Sequence, residues 1–387
     1  MTTFKRDAQF WYIASQLGIL GFFMGGFGPA QPLLQSDQGT SGLVAGLHGT
    51  SLGFSGLIAG QLNARLVHHF GRFTTSWIGM LTFLAGALGF IVFQPPALTI
   101  SATALIGFGV TVMINNGVTF LSHNHAGNST VAIAQANGFN SSMYLLGTVA
   151  IGTLASLGLS WRLGLLIVFP LALLAYKVSK RHINEIHEKS ESGRQRGALG
   201  KRYWIGWIGL TFAISAEFST TFWSAAHLRE KFSLSSGNAT TAVLCFALGM
   251  ALGRWYGTLV FPRIDVDVRT LILIIIQLFG FIVFWASPIV PLSLIGLFLT
   301  GLGTSAQFAL FSLRLLRFAS DKPDLAIGVS ALGAGVAIGC APFLIGSLSD
   351  QVGIASSFLL VPLFILLAGV TLLVRSDSRD GVRENSA

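Results

Sequence analysis

The sequence GQLNARLVHHFGRF, Gly60 to Phe73, links two long apolar runs and shows how the whole chain is built. It contains two arginines and two adjacent histidines, and it has no acidic residue. The runs that it joins, residues 41–66 and 74–94, are each long enough to cross a bilayer as a helix, which takes about 20 mostly apolar residues. The stretch therefore indicates a membrane protein whose helices are joined by short basic segments.

The composition of the full chain supports the same interpretation. Of its 387 residues, 52% are hydrophobic and only 10% are charged, whereas soluble domains carry about 25% charged residues. The apolar runs are too long for barrel strands of about ten residues, and in lipid a helix satisfies its own backbone groups. We therefore predict an all-α membrane protein with twelve transmembrane helices, at residues 10–35, 41–66, 74–94, 97–121, 129–157, 161–180, 202–226, 236–261, 269–287, 291–317, 324–349 and 353–374.

The basic residues predict the orientation. With the N-terminus in the cytoplasm, 20 of the 24 Lys and Arg residues fall on the cytoplasmic side, as the positive-inside rule expects. No cleavage site follows Lys5 and Arg6, so we expect the first helix to be retained. We predict a multi-pass protein of the cell membrane with both termini in the cytoplasm. The excess of basic residues is explained by this orientation and by contact with the anionic lipid bilayer. It does not indicate nucleic-acid binding, because the basic residues lie in short loops rather than in a basic domain.

A polar segment near the middle divides the apolar runs six and six. It contains eight Lys or Arg residues between Lys177 and Arg202. Weak repeats relate the two halves: AIG begins at Ala150 and again at Ala337, and Pro170 and Pro362 lie 192 residues apart. We predict an N-terminal six-helix bundle at residues 1–180, a cytoplasmic linker at 181–201 and a C-terminal six-helix bundle at 202–387.

This layout resembles the major facilitator superfamily (MFS) of transporters. The resemblance rests on the six-plus-six arrangement, the central basic loop, GQLNARLVHHFGRF after helix 2 and AIGCAPFLIGSLSDQVG in helix 11. It implies two pseudo-symmetric bundles that rock about a central cavity lined by helices 1, 4, 7 and 10. It also implies that helix 2 packs near helix 11 and helix 5 near helix 8. The fold transfers more safely than the substrate.

The loop after helix 2 departs from the family pattern, which runs Gly-x-x-x-Asp-Arg-x-Gly-Arg. With Gly60 first, Ala64 takes the Asp position and Arg65 the Arg position, and Gly71-Arg72 follows four residues late. With Ala64 first, histidines replace the Asp-Arg pair. The acid is missing in both frames. Gly60, Arg65, Gly71 and Arg72 are therefore candidates for a cytoplasmic gate, or they are ordinary cations and glycines of a cytoplasmic turn.

Two ionisable residues lie deep in predicted helices. Glu217 in helix 7 is a candidate for proton coupling or for binding a cationic substrate group, because such residues are costly in a membrane and indicate function; alternatively it is a structural acid. Arg254 in helix 8 needs acceptors or an anionic substrate, or it extends to the interface. At a similar depth, Asn137 and Asn140 are its expected partners. A direct Glu217–Arg254 pair is possible but not favoured, because Glu217 enters its helix well above that level.

The remaining polar candidates follow from position along the helices. Asn115, Asn116, Asn140 and Gln307 are candidates for the cavity wall, and His48 with Asp350 forms a candidate outer gate. The sequence contains no cofactor motif, metal cluster or catalytic constellation. We predict a monomeric, non-enzymatic secondary transporter of a small-molecule substrate, with protons as the candidate coupling ion. The alternatives are a transport-inactive receptor and a membrane-embedded enzyme.

Overall fold

The described part of the chain is almost entirely helical. The computed structural model describes residues 6–125, 129–179, 197–260, 264–320 and 322–376, and in these ranges it contains no β-strand. The helices are α1 (Ala8–Phe27), α2 (Gln31–Gln38), α3 (Gly42–Phe70), α4 (Arg72–Val92), α5 (Pro96–Asn124), α6 (Ser129–Ser156), α7 (Arg162–Leu165), α8 (Val168–Ser179), α9 (Lys201–Phe232), α10 (Ser236–Ala242), α11 (Leu244–Val260), α12 (Val266–Ala286), α13 (Val290–Thr304), α14 (Gln307–Phe318), α15 (Pro323–Val352), α16 (Ile354–Ser357), α17 (Leu360–Val370) and a 3₁₀ turn (Thr371–Leu373).

Most of the helical segments are long and apolar enough to cross a membrane. Within the described ranges, nine segments meet that standard by length and composition. The predicted all-α membrane fold is confirmed, whereas the count of twelve spans stays a prediction. Most of the predicted linker, 181–201, lies outside the described residues, so the division into two bundles also stays a prediction.

The stretch at residues 60–73 is helical rather than a loop. Helix α3 continues to Phe70, and α4 begins at Arg72, so Gly71 alone makes the turn. Gly71 has φ 76°, a value that favours glycine because a side chain there is strained. The predicted end of helix 2, near residue 66, was therefore about one turn too early. Gly353 makes the corresponding turn after α15 with φ 79°.

Two main interfaces join the first half of the chain to the second. Helix α3 packs against α15, and α6 packs against α10 and α11, as the family resemblance implies. The α3–α15 contact is close because it is lined by glycine. A Cβ on Gly53 would lie 2.5 Å from the carbonyl oxygen of Gly335 and 2.7 Å from Cα of Gly339. This spacing allows backbone contact, as in other small-residue helix interfaces in membranes.

The tenth apolar run is interrupted. Helix α13 ends at Thr304 and α14 begins at Gln307, with Ser305 and Ala306 between them. No side chain caps the N-terminus of α14. The break leaves main-chain polar groups without helical partners. In a membrane, such groups are tolerated where they contact protein or line a cavity.

Candidate functional site

An ion pair joins α9 to α11. Arg254 Nη2 lies 3.7 Å from Glu217 Oε1. The two side chains are 25% and 17% exposed, respectively. The pair, which the sequence left possible but did not favour, is therefore present. The sequence-based expectation placed the two residues by their distance from the helix ends. That estimate ignores the reach of an arginine side chain and the relative shift of two neighbouring helices.

Arg254 is held by groups from both halves of the chain. Its Nη1 donates to the hydroxyl of Ser141 at 2.9 Å, and its Nε donates to the carbonyl oxygen of Ser305 at 3.2 Å. The expected asparagine partners are not used: Asn140 donates instead to the carbonyl of Leu17 at 2.6 Å. The guanidinium therefore bridges α6, the α13–α14 break and the carboxylate of α9.

Sequence reasoning missed Ser141, Ser305 and Tyr144. Tyr144 is a buried residue of α6 that lies within electrostatic range of both Glu217 and Arg254. Serine and tyrosine are common in apolar helices, so they carried no signal. Only the packing of α6 against α11 identifies them.

Three of the four cavity candidates form helix–helix contacts. Asn116 accepts from Arg72 at 3.4 Å and donates to Asn63 at 2.9 Å. Gln307 is buried and donates to Gln277 at 2.7 Å, while Asn140 links α6 to α1. Asn115 is half-buried beside Asn116. None of the four is drawn into the Glu217–Arg254 cluster.

The predicted outer-gate residues do not pair with each other. His48 is buried, and its Nε2 lies 2.9 Å from the hydroxyl of Thr99. Asp350, at the end of α15, accepts the backbone N–H groups of Gly42 at 2.7 Å and Leu43 at 2.8 Å. These amides open α3, so the carboxylate caps a helix of the other half and interacts favourably with its positive end. The proposed partner of Asp350 was wrong, because free amides at a helix start compete better than a buried imidazole.

The four gate-loop residues have different environments. Arg72 is buried and contacts Asn116, while Arg65 is exposed on α3. Gly60 lies within a helix with open space around it, and Gly71 makes the turn. No contact tests their role as a cytoplasmic gate, which stays a prediction.

A second charged cluster, which sequence reasoning did not assign, lies between α12, α14 and the residues after α17. Arg314 is completely buried and its Nε donates to Asp267 at 2.6 Å, while its Nη2 donates to the carbonyl of Val374 at 2.7 Å. Asp267 also accepts the backbone N–H of Ser376 at 2.6 Å. The cluster ties the residues after α17 to the ends of α12 and α14.

Asp265 lies beside this cluster, at the start of α12. Partial burial alone would raise the pKa of its carboxyl, but N–H donors of Asp267, Val268 and Val266, with Arg317 nearby, outweigh burial and lower the pKa below its ordinary value. The carboxylate is therefore charged at neutral pH and caps α12.

Comparison with known proteins identifies the family. The profile of the Major Facilitator Superfamily matches residues 13–290. The chain therefore belongs to the Major Facilitator Superfamily, a family of transporters, and the resemblance seen in the sequence is confirmed. No curated protein sequence matches the chain.

Two solved structures share this fold. A bacterial homologue of the human lysosomal transporter Spinster, in an inward-facing and occupied conformation, has a TM-score of 0.75 at 14% identity; the alignment covers 96% of this chain and 97% of that one. The Escherichia coli fucose:proton symporter FucP has a TM-score of 0.68 at 14% identity, with 95% and 98% covered. At this identity the likeness extends to the fold alone. Family and fold point to a transporter rather than an enzyme.

Proposed function

We propose that the protein is a secondary transporter that moves a small solute by alternating access and couples this movement to protons through Glu217. The observation that carries the proposal is the Glu217–Arg254 pair. Glu217 lies near the middle of α9, and its partner Arg254 also contacts Ser141, so the pair lies where helices of both halves meet. Ionisable groups at such depth usually mark transport pathways or proton relays.

The contacts between the halves support alternating access. The outer end of α3 is capped by Asp350, and Thr50 donates to the carbonyl of Gly339 at 2.7 Å across the same interface. At a separate contact between the two halves, Thr240 of α10 donates to the carbonyl of Pro29 at 3.3 Å. With the predicted orientation, these contacts hold the outer side closed. The glycine-lined surface of α3 and α15 permits one half to rotate on the other.

The composition of the pair supports coupling to protons. A guanidinium does not lose its proton in a protein, whereas a carboxylate is able to take one up. Protonation of Glu217 removes one charge from the pair and weakens its hold on Arg254. A step of this kind changes the relative stability of two arrangements of the halves, which is what coupling requires. The solved symporter with a related fold transports fucose with protons, which is consistent with proton coupling on this fold.

The test is solute-driven proton flux in proteoliposomes. A pH-sensitive dye inside the vesicles reports proton entry when a solute gradient is imposed, for the normal chain and for Glu217→Gln. We expect proton entry in the normal chain and none in Glu217→Gln. Ser215→Ala is the matched control, because the hydroxyl of Ser215 bonds only to its own helix at Thr211. Full solute-driven proton entry in Glu217→Gln would refute the proposal.

A further inference from the structure

We propose that the solute is a small organic monoanion, a carboxylate, that binds Arg254 after Glu217 has taken up a proton, so that the two are transported together without net charge. This inference rests on the proposed function and names its substrate class. It follows from the number of charges at the site, from the helix break beside it, and from the different abilities of the two side chains to change charge.

The first argument is charge. With Glu217 ionised, the carboxylate and the guanidinium neutralise each other, and the site offers no net charge to a ligand. With Glu217 protonated, Arg254 keeps its charge and loses its ionic partner at 3.7 Å. A partly buried guanidinium without a counter-charge is costly, and an anionic ligand relieves that cost. One proton therefore creates one site for one negative charge.

The second argument is the helix break beside Arg254. Arg254 donates to the carbonyl of Ser305, and α14 starts two residues later, at Gln307, without a side-chain cap. The first N–H groups of a helix lack partners and carry partial positive charge. Interrupted membrane helices place such ends toward anionic substrate groups in other transporters. Arg254 itself satisfies the carbonyl of Ser305 at the C-terminal end of α13, so the helix end beside it that has no side-chain partner is the start of α14, which favours an anion over a cation.

The other described charged groups on neighbouring helices do not change the net charge of the Glu217–Arg254 site. Tyr144 and the hydroxyl of Ser141, both on α6, lie beside the pair. Helices α10, α13, α16 and α17, which pack near α9, carry no ionisable side chain. On α14, α15 and α2 the described charged side chains have other partners: Arg314 contacts Asp267, Arg317 contacts Asp265, Asp350 contacts the start of α3, and Asp37 contacts Trp161 and Arg162.

Two measurements test the inference in the full chain. In the first, gluconate and lactate are titrated against purified protein, and binding is read from the shift in thermal unfolding, with glucose and lactamide as uncharged partners. We expect the carboxylates alone to bind. In the normal chain, the affinity for the carboxylates should fall by about tenfold for each unit that the pH rises through the range where Glu217 ionises, because binding requires one bound proton. In Glu217→Gln the affinity no longer depends on pH, and in Arg254→Gln binding is lost. Tyr256→Phe, an exposed neighbour on α11, is the control and binds as the normal chain does.

The second measurement separates charge from proton movement in proteoliposomes. Gluconate should drive proton entry reported by an internal pH dye, while electrodes that record charge movement across the same membranes detect no current. Failure of both carboxylates to bind, a current that accompanies gluconate, or unchanged pH dependence in Glu217→Gln would each overturn the inference. Glu217-dependent proton entry driven by glucose would overturn the substrate class and leave proton-coupled transport standing. Absence of proton entry with every solute would overturn the proposed function itself.

Discussion

Asp350→Asn should open the outer side of the transporter. The carboxylate accepts two N–H groups from the start of α3, at 2.7 Å and 2.8 Å, and each of its oxygens serves one donor. Asparagine keeps one acceptor oxygen and places an NH₂ group against the other N–H. It also removes the negative charge from a helix N-terminus. We expect the outer-closed arrangement to lose about 1–2 kcal/mol relative to the open one, which is a shift of roughly 5–30-fold in their ratio.

Distances between two spin labels measure that shift directly. The labels are placed on Ser36 and Gln351, which are exposed near the ends of α2 and α15 that the sequence predicts to lie outside. Both free cysteines, Cys245 and Cys340, are first replaced by alanine. Asp350→Asn should add or enlarge a population at longer distance. Ser349→Ala is the control, because the hydroxyl of Ser349 bonds within its own helix to Gly346. Distance distributions that are the same in Asp350→Asn and the normal chain would show that the carboxylate does not close this side.

Three further predictions concern packing and charge in the rest of the fold. Gly53→Ala should destabilise the protein by about 1–3 kcal/mol, because the new Cβ meets the backbone of α15; thermal unfolding should show no loss in Gly60→Ala, where nothing lies within 4 Å. Asp267→Asn should cost about 3–5 kcal/mol, because it leaves the fully buried Arg314 without its counter-charge; a melting temperature equal to that of the normal chain would contradict this. The pKa of Asp265 is lowered in the folded protein, so its stabilising contribution is complete above the unfolded value of about 3.9 and is lost as pH falls through the folded pKa. The melting difference between the normal chain and Asp265→Asn should therefore stay constant from pH 8 to 5 and shrink only below about pH 4.

The sequence pattern was sufficient to predict features that depend on a single helix. The length and apolarity of each run predicted helices in a membrane. Gly71, one of the two glycines named in the stretch after helix 2, makes the turn there, because a turn between two helices needs a residue that tolerates positive φ. The end of α3 was placed a turn too early, because the polar residues after Gly60 interrupt the apolar pattern without interrupting the helix. Polar side chains on one face of a helix are compatible with its backbone hydrogen bonds, so polarity alone does not mark a helix end.

Partners across helices were beyond the reach of the sequence. It identified Glu217 and Arg254 as costly residues in a membrane, and it identified Asp350 as an acid near the outer face. It did not identify that Glu217 and Arg254 meet, that Ser141 and Ser305 hold the guanidinium, or that Asp350 caps α3. These contacts join residues 37 to 308 positions apart and depend on the shift and rotation of one helix against another. Composition determines that the helices enter a membrane, because burial of apolar side chains in lipid acts on each helix separately. The tertiary structure alone determines which polar groups face one another, because close packing between helices sets the distances at which charges and hydrogen bonds act.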